Sequence, residues 1–363
     1  FPADKITINL APADIRKEGC AFDLPIALGI LAASEQIAQD ILKDSSFVGE
    51  LALNGELRKV KGSLAMGLAT KKKKARQLIL PAQNANEAAV VQETHVYAFR
   101  TLRECIDALY HPESLRASAP SPVDPEVASA SAELDFSDIK GQTAAKRALE
   151  IAAAGRHNII LIGPPGSGKT MLAKRIVTIL PDLTIDEALE TTKIHSSLGL
   201  VDPAIGLVRR RPFRAPHHTI SDIALVGGGS HPQPGEISLA HNGVLFMDEL
   251  PEFHRDVLEV LRQPLEDGLI RIARAARSLS FPSRFMLVCA MNPCQCGHYG
   301  NPGSSCRCTP NEIRRYHAKV SGPLLDRIDL HMEVPAIKYQ ELIDTQESEN
   351  SQAIKKRVKR VHD

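Results

Sequence analysis

The sequence predicts an α/β fold in which helices flank a buried parallel sheet, and three segments predict it. The first is Gly163-Pro164-Pro165-Gly166-Ser167-Gly168-Lys169-Thr170, which reads G-x-x-x-x-G-K-T, a phosphate-binding loop. Its glycines let the backbone curl so that successive N–H groups point inward at phosphate oxygens. Lys169 is spaced to reach the β- and γ-phosphates, and Thr170 to give its hydroxyl to Mg²⁺. The second is the flanks of that loop. Asn158-Ile159-Ile160-Leu161-Ile162 suits a buried parallel strand, and Met171 to Val177 has helical spacing, so the loop opens onto a helix N-terminus that favours anions. The third is Val244-Leu245-Phe246-Met247-Asp248-Glu249, four apolar residues followed by two carboxylates, about eighty residues after the loop. That is the Walker B pattern: Asp248 would hold the Mg²⁺ shell, and Glu249 would orient and activate the attacking water.

Further along, Met286-Leu287-Val288-Cys289-Ala290-Met291-Asn292 reads as another buried strand ending in a polar residue. Asn292 there suits a sensor of the γ-phosphate or the lytic water; the alternative is an Asn that merely starts the turn before Pro293. Arg327, in Ser321 to Leu330, is not needed to hold nucleotide in its own subunit. An arginine reaching a neighbour's γ-phosphate stabilises transition-state charge; the alternative is a structural Arg paired with Asp326 or Asp329.

Residues 1–111 form a separate domain. Lys5-Ile6-Thr7-Ile8-Asn9-Leu10 alternates with period two and reads as a strand, as do Phe47 to Leu51 and Gln77 to Pro81. Leu24 to Ala32 reads as an apolar helix with Pro25 in its first turn, and Ser63 to Lys72 as a second helix. Its end, Lys71-Lys72-Lys73-Lys74, is either a solvated helix end or a DNA contact. Residues 112–133, rich in Pro, Ser and Ala, read as a linker. The nucleotide-binding part then occupies 134–337, and residues 338–363 carry a basic, helical run, Lys355 to Arg360.

With 363 residues, 43% of them hydrophobic, the chain can fill more than one core. Its net charge of +1 gives no global polyanion signature, so nucleic-acid affinity has to come from local patches. No apolar run is long enough to span a membrane. A start at Phe1 without a signal-like segment, and a basic helix that stops at Asp363, are the expectation for a piece of a longer protein. Seven cysteines beside a nucleotide site point to a reducing cytosol, hence a cytoplasmic protein, with Cys as metal ligand or core residue. Four of them, Cys294, Cys296, Cys306 and Cys308, form a C-x-C…C-x-C set around a turn-rich segment. Four thiolates on two tight turns close a tetrahedron around Zn²⁺, with His298 a substitute for one sulfur. Cys20, Cys105 and Cys289 read as isolated thiols.

The order of phosphate loop, Walker B, Asn292 and Arg327 resembles an AAA+ ATPase of the magnesium-chelatase-like branch. The match tightens across Arg209 to Ser221, Pro234 to Gly243 and Leu261 to Gly268, where the chain resembles the ComM/YifB family. That resemblance implies an AAA+ P-loop NTPase domain with β-hairpin insertions at 134–337, a Lon-protease-like α+β domain at 1–111, and the start of a C-terminal helical lid at 338–363. It implies ATP and Mg²⁺, a homohexamer, and a DNA helicase that promotes branch migration in homologous recombination during natural transformation. By the family pattern Asn292 becomes sensor 1 and Arg327 the arginine finger; the sensor 2 arginine is assigned to no residue here.

Leu269 to Phe281 resembles the hairpin that this branch projects into the ring pore, with Arg271, Arg274 and Arg277 as phosphate contacts; the alternative is an ordinary exposed basic hairpin. Phe213 to Leu239 resembles the branch's second pore insertion, in which His217 and His218 are either pore contacts or packed turn residues. Two rival activities are an ATP-dependent Lon-like protease and a chelatase-type ATPase. Against the first, Ala21 stands at the position of the Lon serine and Leu64 at that of the lysine, and neither can do that chemistry; a dyad shifted onto Cys20, Lys61 or Ser63 is a poor substitute. Against the second, the sequence shows no integrin-like metal-binding domain.

Overall fold

The computed structural model describes residues 5–10, 19–73, 77–91, 93–119, 134–229, 232–274, 277–301, 305–336 and 348–362. The chain folds as two compact units. The first comprises Phe1–Asp124 together with Ala188–Val208, and the second Pro125–Glu187 with Arg209–Asp363. Residues 188–208, which the sequence reading counted in 134–337, thus pack with the first unit. Most of the 112–133 linker, residues 120–133, lies outside the described residues.

In the first unit, strands β1 (Ser45–Phe47), β4 (Gln77–Pro81) and β5 (His95–Phe99) form a parallel sheet in the order β1-β4-β5, and β2 (Glu50–Leu51) pairs antiparallel with β3 (Leu57–Arg58). The expected strand Phe47 to Leu51 is therefore two, because the chain turns at Val48-Gly49 and sends its halves to different partners. Gly49 packs against Leu24 of the helix Asp23–Ala33, leaving little room there for a side chain. Lys5–Leu10 forms no strand: among the described residues nothing pairs with it, and Ile6, Ile8 and Leu10 are exposed. Alternation makes a segment fit for pairing, but the ladder needs a partner. In the last turn of the helix Ser63–Lys72, Lys71 pairs with Glu93 at the surface; Lys74 lies outside the described residues.

The second unit is built on a five-stranded sheet in the order β14-β6-β13-β10-β7, all pairs parallel. These strands are β6 (Ile159–Ile162), β7 (Phe213–Arg214), β10 (Val244–Met247), β13 (Met286–Met291) and β14 (Leu330–Glu333). Because side chains alternate across a strand, each apolar run serves two cores. Ile159, Leu161, Val244, Phe246, Val288 and Ala290 face one, and Ile160, Leu245, Met247, Leu287, Cys289 and Met291 the other. This explains why the strands read as continuous apolar runs. The first core is covered by helices Thr143–Gly155, Lys169–Ile179 and Ser351–His362, the last through Ile354 and Val358. Its basic run is spent on the surface of the same unit: Lys355 bonds Asp182, and Arg357 bonds Glu150 and Glu349.

Two hairpins branch from this sheet. One is β8 (Gly227–Gly228) with β9 (Gln233–Pro234); the other is β11 (Leu269–Arg274) with β12 (Arg277–Pro282).

Candidate nucleotide site

The phosphate loop leaves the C-terminal end of β6, between the ends of β13 and β14, the place where the strand order of a parallel sheet reverses and ligands bind. Gly163 is wedged there. Its N–H donates to Met291 O at 3.2 Å, and a Cβ on it would lie 2.0 Å from Val334 O, so only glycine fits. Gly166 and Gly168 take left-handed φ of +75° and +88°, which aims the intervening amides inward. The helix Lys169–Ile179 starts at the next residue, adding its N-terminal dipole.

Four side chains converge on this loop. Lys169 is buried; its Nζ donates to Gly163 O at 2.7 Å, to Pro164 O at 2.9 Å and to Asn292 Oδ1 at 3.3 Å. Burial pushes its ammonium below the ordinary lysine range, against the attraction of Asp248 and Glu249. Thr170 Oγ1 donates to Asp248 Oδ2 at 2.7 Å, joining the two expected Mg²⁺ groups across neighbouring elements. Glu249 follows in a left-handed conformation, φ +53°, which turns the chain sharply after β10. The structure thus brings together Lys169, Thr170, Asp248 and Asn292, with Glu249 next to Asp248. A cradle that a Cβ would fill, a buried cation and an adjoining carboxylate–hydroxyl pair are a donor set that fits a nucleoside triphosphate and Mg²⁺.

Arg327 stands elsewhere. Its backbone O accepts from Asn158 Nδ2 at 2.8 Å, and Asn158 precedes β6, whereas the phosphate loop follows it. A strand of that length separates the two by about 13 Å. The guanidinium bonds Glu266 and Pro323 O, and its Nε is buried without a partner among the described residues. Neither Asp326 nor Asp329 is its partner: Asp329 accepts from the Asn158 N–H instead.

Sequence reasoning missed Gln142 altogether, and missed the proximity to Glu249 of His218, which it read as a pore contact or a packed turn residue. Gln142 Nε2 donates to Ser167 O at 3.2 Å and to Pro335 O at 2.8 Å, tying the phosphate loop to the chain after β14. His218 Nδ1 lies 3.6 Å from Glu249 Oε2, with its ring beside His217 and edge-on to Phe253. Only the Gly141-Gln142 pair before a helix carried a local signal; the other contacts are made by folding.

The four cysteine sulfurs all lie within 4.8 Å of one another. Cys294–Cys296, Cys294–Cys306 and Cys296–Cys306 are 3.4, 3.7 and 3.6 Å apart, against about 3.8 Å for the sulfurs of a zinc tetrahedron. Backbone N–H groups of Arg307 and His298 hold Cys296 down to about 6, in favour of thiolate. Cys306 and Cys308 are raised instead, through burial and hydrogen bonds to the neighbouring sulfurs, so it is the geometry of the four sulfurs that fits a structural metal, and His298 is not part of the cluster. Cys105 and Cys289 are buried core thiols; burial pushes Cys105 up to about 12.

In the second hairpin, β11 and β12 pair with Arg274 opposite Arg277 and Arg271 opposite Ser280. Arg271 is exposed; the side chains of Arg274 and Arg277 lie outside the described part. In the first unit, Ala21 and Leu64, expected at the positions of a Lon serine and lysine, carry no nucleophile or base. Cys20 donates its thiol proton to Glu50 at 2.7 Å, a hydrogen bond that raises its pKa, and Ser63 is buried against Asn84. A thiol held protonated by a carboxylate is a weak nucleophile.

Residues 135–342 match the family described as magnesium chelatase, subunit ChlI, and residues 1–84 the family described as subunit ChlI of Mg-chelatase. Competence protein ComM of Haemophilus influenzae is 50% identical over 373 residues, covering 100% of this chain and 71% of that protein. The chain belongs to the ComM/YifB family. Within the ComM/YifB family, YifB of Salmonella typhimurium is 46% identical over 365 residues, covering 100% of this chain and 70% of its own. Lon protease 2 of Bacillus subtilis is 31% identical over 145 residues, covering 36% of this chain and 25% of its own. Membership makes residues 135–342 a magnesium-chelatase-like AAA+ ATPase region, implies ATP and Mg²⁺ at the phosphate loop, and brings a Lon-like region of homology. No helix among the described residues is long and apolar enough to cross a membrane.

Proposed function

We propose that this protein is a cytoplasmic, ATP-driven hexameric motor that acts on single-stranded and branched DNA and promotes branch migration during natural transformation. The observation that carries the reading is the separation of Arg327 from the phosphate loop of its own subunit by the length of β6. An ATPase whose transition-state arginine stands at the opposite end of the strand from its own phosphate loop needs a neighbour, and a ring of such neighbours encloses a channel. ComM, the competence protein 50% identical to the whole chain, supports the biological setting. The hairpin β11–β12, with three arginines in its strands, supports DNA as what the channel holds: six copies would concentrate positive charge in one pore without raising net charge.

In the proposed cycle the loop amides and Lys169 bind the β- and γ-phosphates. Thr170 and Asp248 would hold Mg²⁺, which would supply charge neutralisation at the phosphates. Glu249 takes a proton from the attacking water, Asn292 orients that water or the γ-phosphate, and Arg327 of the neighbouring subunit stabilises the developing charge. Zn²⁺ on Cys294, Cys296, Cys306 and Cys308 serves as a structural cross-link. The test is unwinding of a four-way DNA junction with ATP. ATP-dependent strand exchange that is lost in Glu249→Gln supports the reading. Absence of unwinding, with ATP-dependent casein cleavage in its place, overturns it for the protease. Arg274→Ala is expected to lower DNA-stimulated hydrolysis and leave the basal rate near normal; equal loss of both would remove the hairpin from DNA.

A further inference from the structure

We propose that the four-cysteine knuckle is a wall of the nucleotide pocket, and that the metal it holds sets nucleotide affinity. This rests on the zinc reading above. The knuckle is attached to the pocket at two separate points. The first is along the chain. After β13, Asn292 accepts the Lys169 hydrogen bond at 3.3 Å, and only Pro293 stands between it and Cys294, the fully buried sulfur of the cluster. The group that touches the phosphate-binding lysine and the innermost metal ligand therefore move as one piece.

The second attachment is across space. Gly297, just after the first cysteine pair, lies against Pro165 of the phosphate loop. A Cβ on Gly297 would come within 2.6 Å of Pro165 Cδ and 2.8 Å of Cγ, and its φ of +82° also selects glycine. The knuckle in turn rests on the helix Pro310–His317, where the His317 ring makes a 3.0 Å hydrogen bond to Pro293 O. Inside it, the Tyr299 N–H donates to Cys294 Sγ at 3.4 Å.

The segment from Cys294 to Cys308 includes no described helix or strand. Its order depends on what joins its two cysteine pairs, and a metal joining four thiolates supplies binding free energy that is also ordering free energy. With the metal bound, Pro165 packs on a fixed surface and Asn292 is held at Lys169. Without it, the nucleotide has to order the knuckle as well as fill the loop, and its apparent affinity falls in proportion to the competent fraction.

The experiment uses the full chain, purified under reductant, with zinc content and affinity for a fluorescent ATP analogue measured before and after a zinc-selective chelator, Mg²⁺ being retained throughout. The expected result is one zinc per chain, about tenfold weaker nucleotide binding after its removal, and recovery on adding Zn²⁺ or Co²⁺. Co²⁺ should also give a thiolate charge-transfer band. Pro165→Ala removes the ring on which Gly297 rests and leaves all four thiolates. It should keep its zinc and bind nucleotide severalfold more weakly, and it should respond less to the chelator. No zinc in the untreated protein overturns the zinc reading and this proposal together. One zinc, with the same affinity in loaded and stripped protein, overturns only the coupling and leaves the metal as a fold staple. Unchanged affinity in zinc-loaded Pro165→Ala also overturns the coupling, and does not require the stripped protein to stay folded.

Discussion

Both units bury polar side chains, and they put them to opposite uses. In the first, Asn84 takes the Val60 N–H and donates to Val60 O and Ser63 Oγ, while Glu87 accepts from the Leu64 N–H and the Ser196 hydroxyl. These groups pin three chain segments together, including one from 188–208. In the second, the buried Lys169 and Gln142 and the half-buried Asn292 converge on one loop at the end of a strand, and their acceptors are that loop's carbonyls, Asn292 itself and Pro335 O after β14. Burial of polar groups is common to both. What marks a site is convergence on a segment whose amides face inward.

The comparison can be tested from its strongest point downward. Arg327→Ala should lower ATP turnover by about 10³-fold or more while nucleotide still binds. Mixing that variant with Glu249→Gln should restore part of the turnover, because each then supplies what the other lacks; a mixture as inactive as its parts would place Arg327 out of the neighbour's site. Glu249→Gln alone should cost about 10²- to 10⁴-fold in turnover with nucleotide affinity kept. Asn84→Leu should act on the other side of the comparison, lowering stability by about 1–3 kcal/mol through stranded backbone groups, with turnover per folded molecule unchanged. A loss of turnover there would show that the first unit is more than scaffold. His218→Ala should cost about fivefold in turnover, the equivalent of about 1 kcal/mol for a contact with the Glu249 carboxylate, with KM unaltered.

The smallest expected effect is on acid stability. Arg357 holds the Glu150 carboxyl below the ordinary value of 4.5, and holds Glu349 low as well. A depressed carboxylate contributes stability that is fully present above the unfolded-state value and is lost as pH falls through the folded one. Glu150→Gln should therefore cost about 1 kcal/mol or less at neutral pH, and the gap to the parent should close as pH drops below 4.5. A gap that stays constant with pH would assign the effect to packing.

The α/β fold and the strand ends that carry the candidate site were legible because each strand is a short apolar run closed by a functional residue: Ile162 then Gly163, Met247 then Asp248, Met291 then Asn292. Period and run length are local quantities, and so they survive in the sequence. Partners do not. Nothing near Arg327 pointed to Glu266, and nothing in Cys294 to Cys308 pointed to Pro165. Lys5–Leu10 failed in the opposite way: its pattern was present and its partner was not among the described residues. Phe47 to Leu51 failed because one apolar stretch served two ladders, a division set by the packing of Gly49 on Leu24.

The pairing of Arg327 with Glu266 has a consequence for assembly. A free subunit already neutralises the guanidinium it would present to a neighbour. In the proposed ring, closure would be an exchange of one anion for another, a carboxylate given up for a γ-phosphate, with no net ion pair created. Such an exchange is insensitive to background salt and sensitive to how many negative charges the incoming group carries. The edge of the subunit would in this way tell a triphosphate from a diphosphate before any bond is broken.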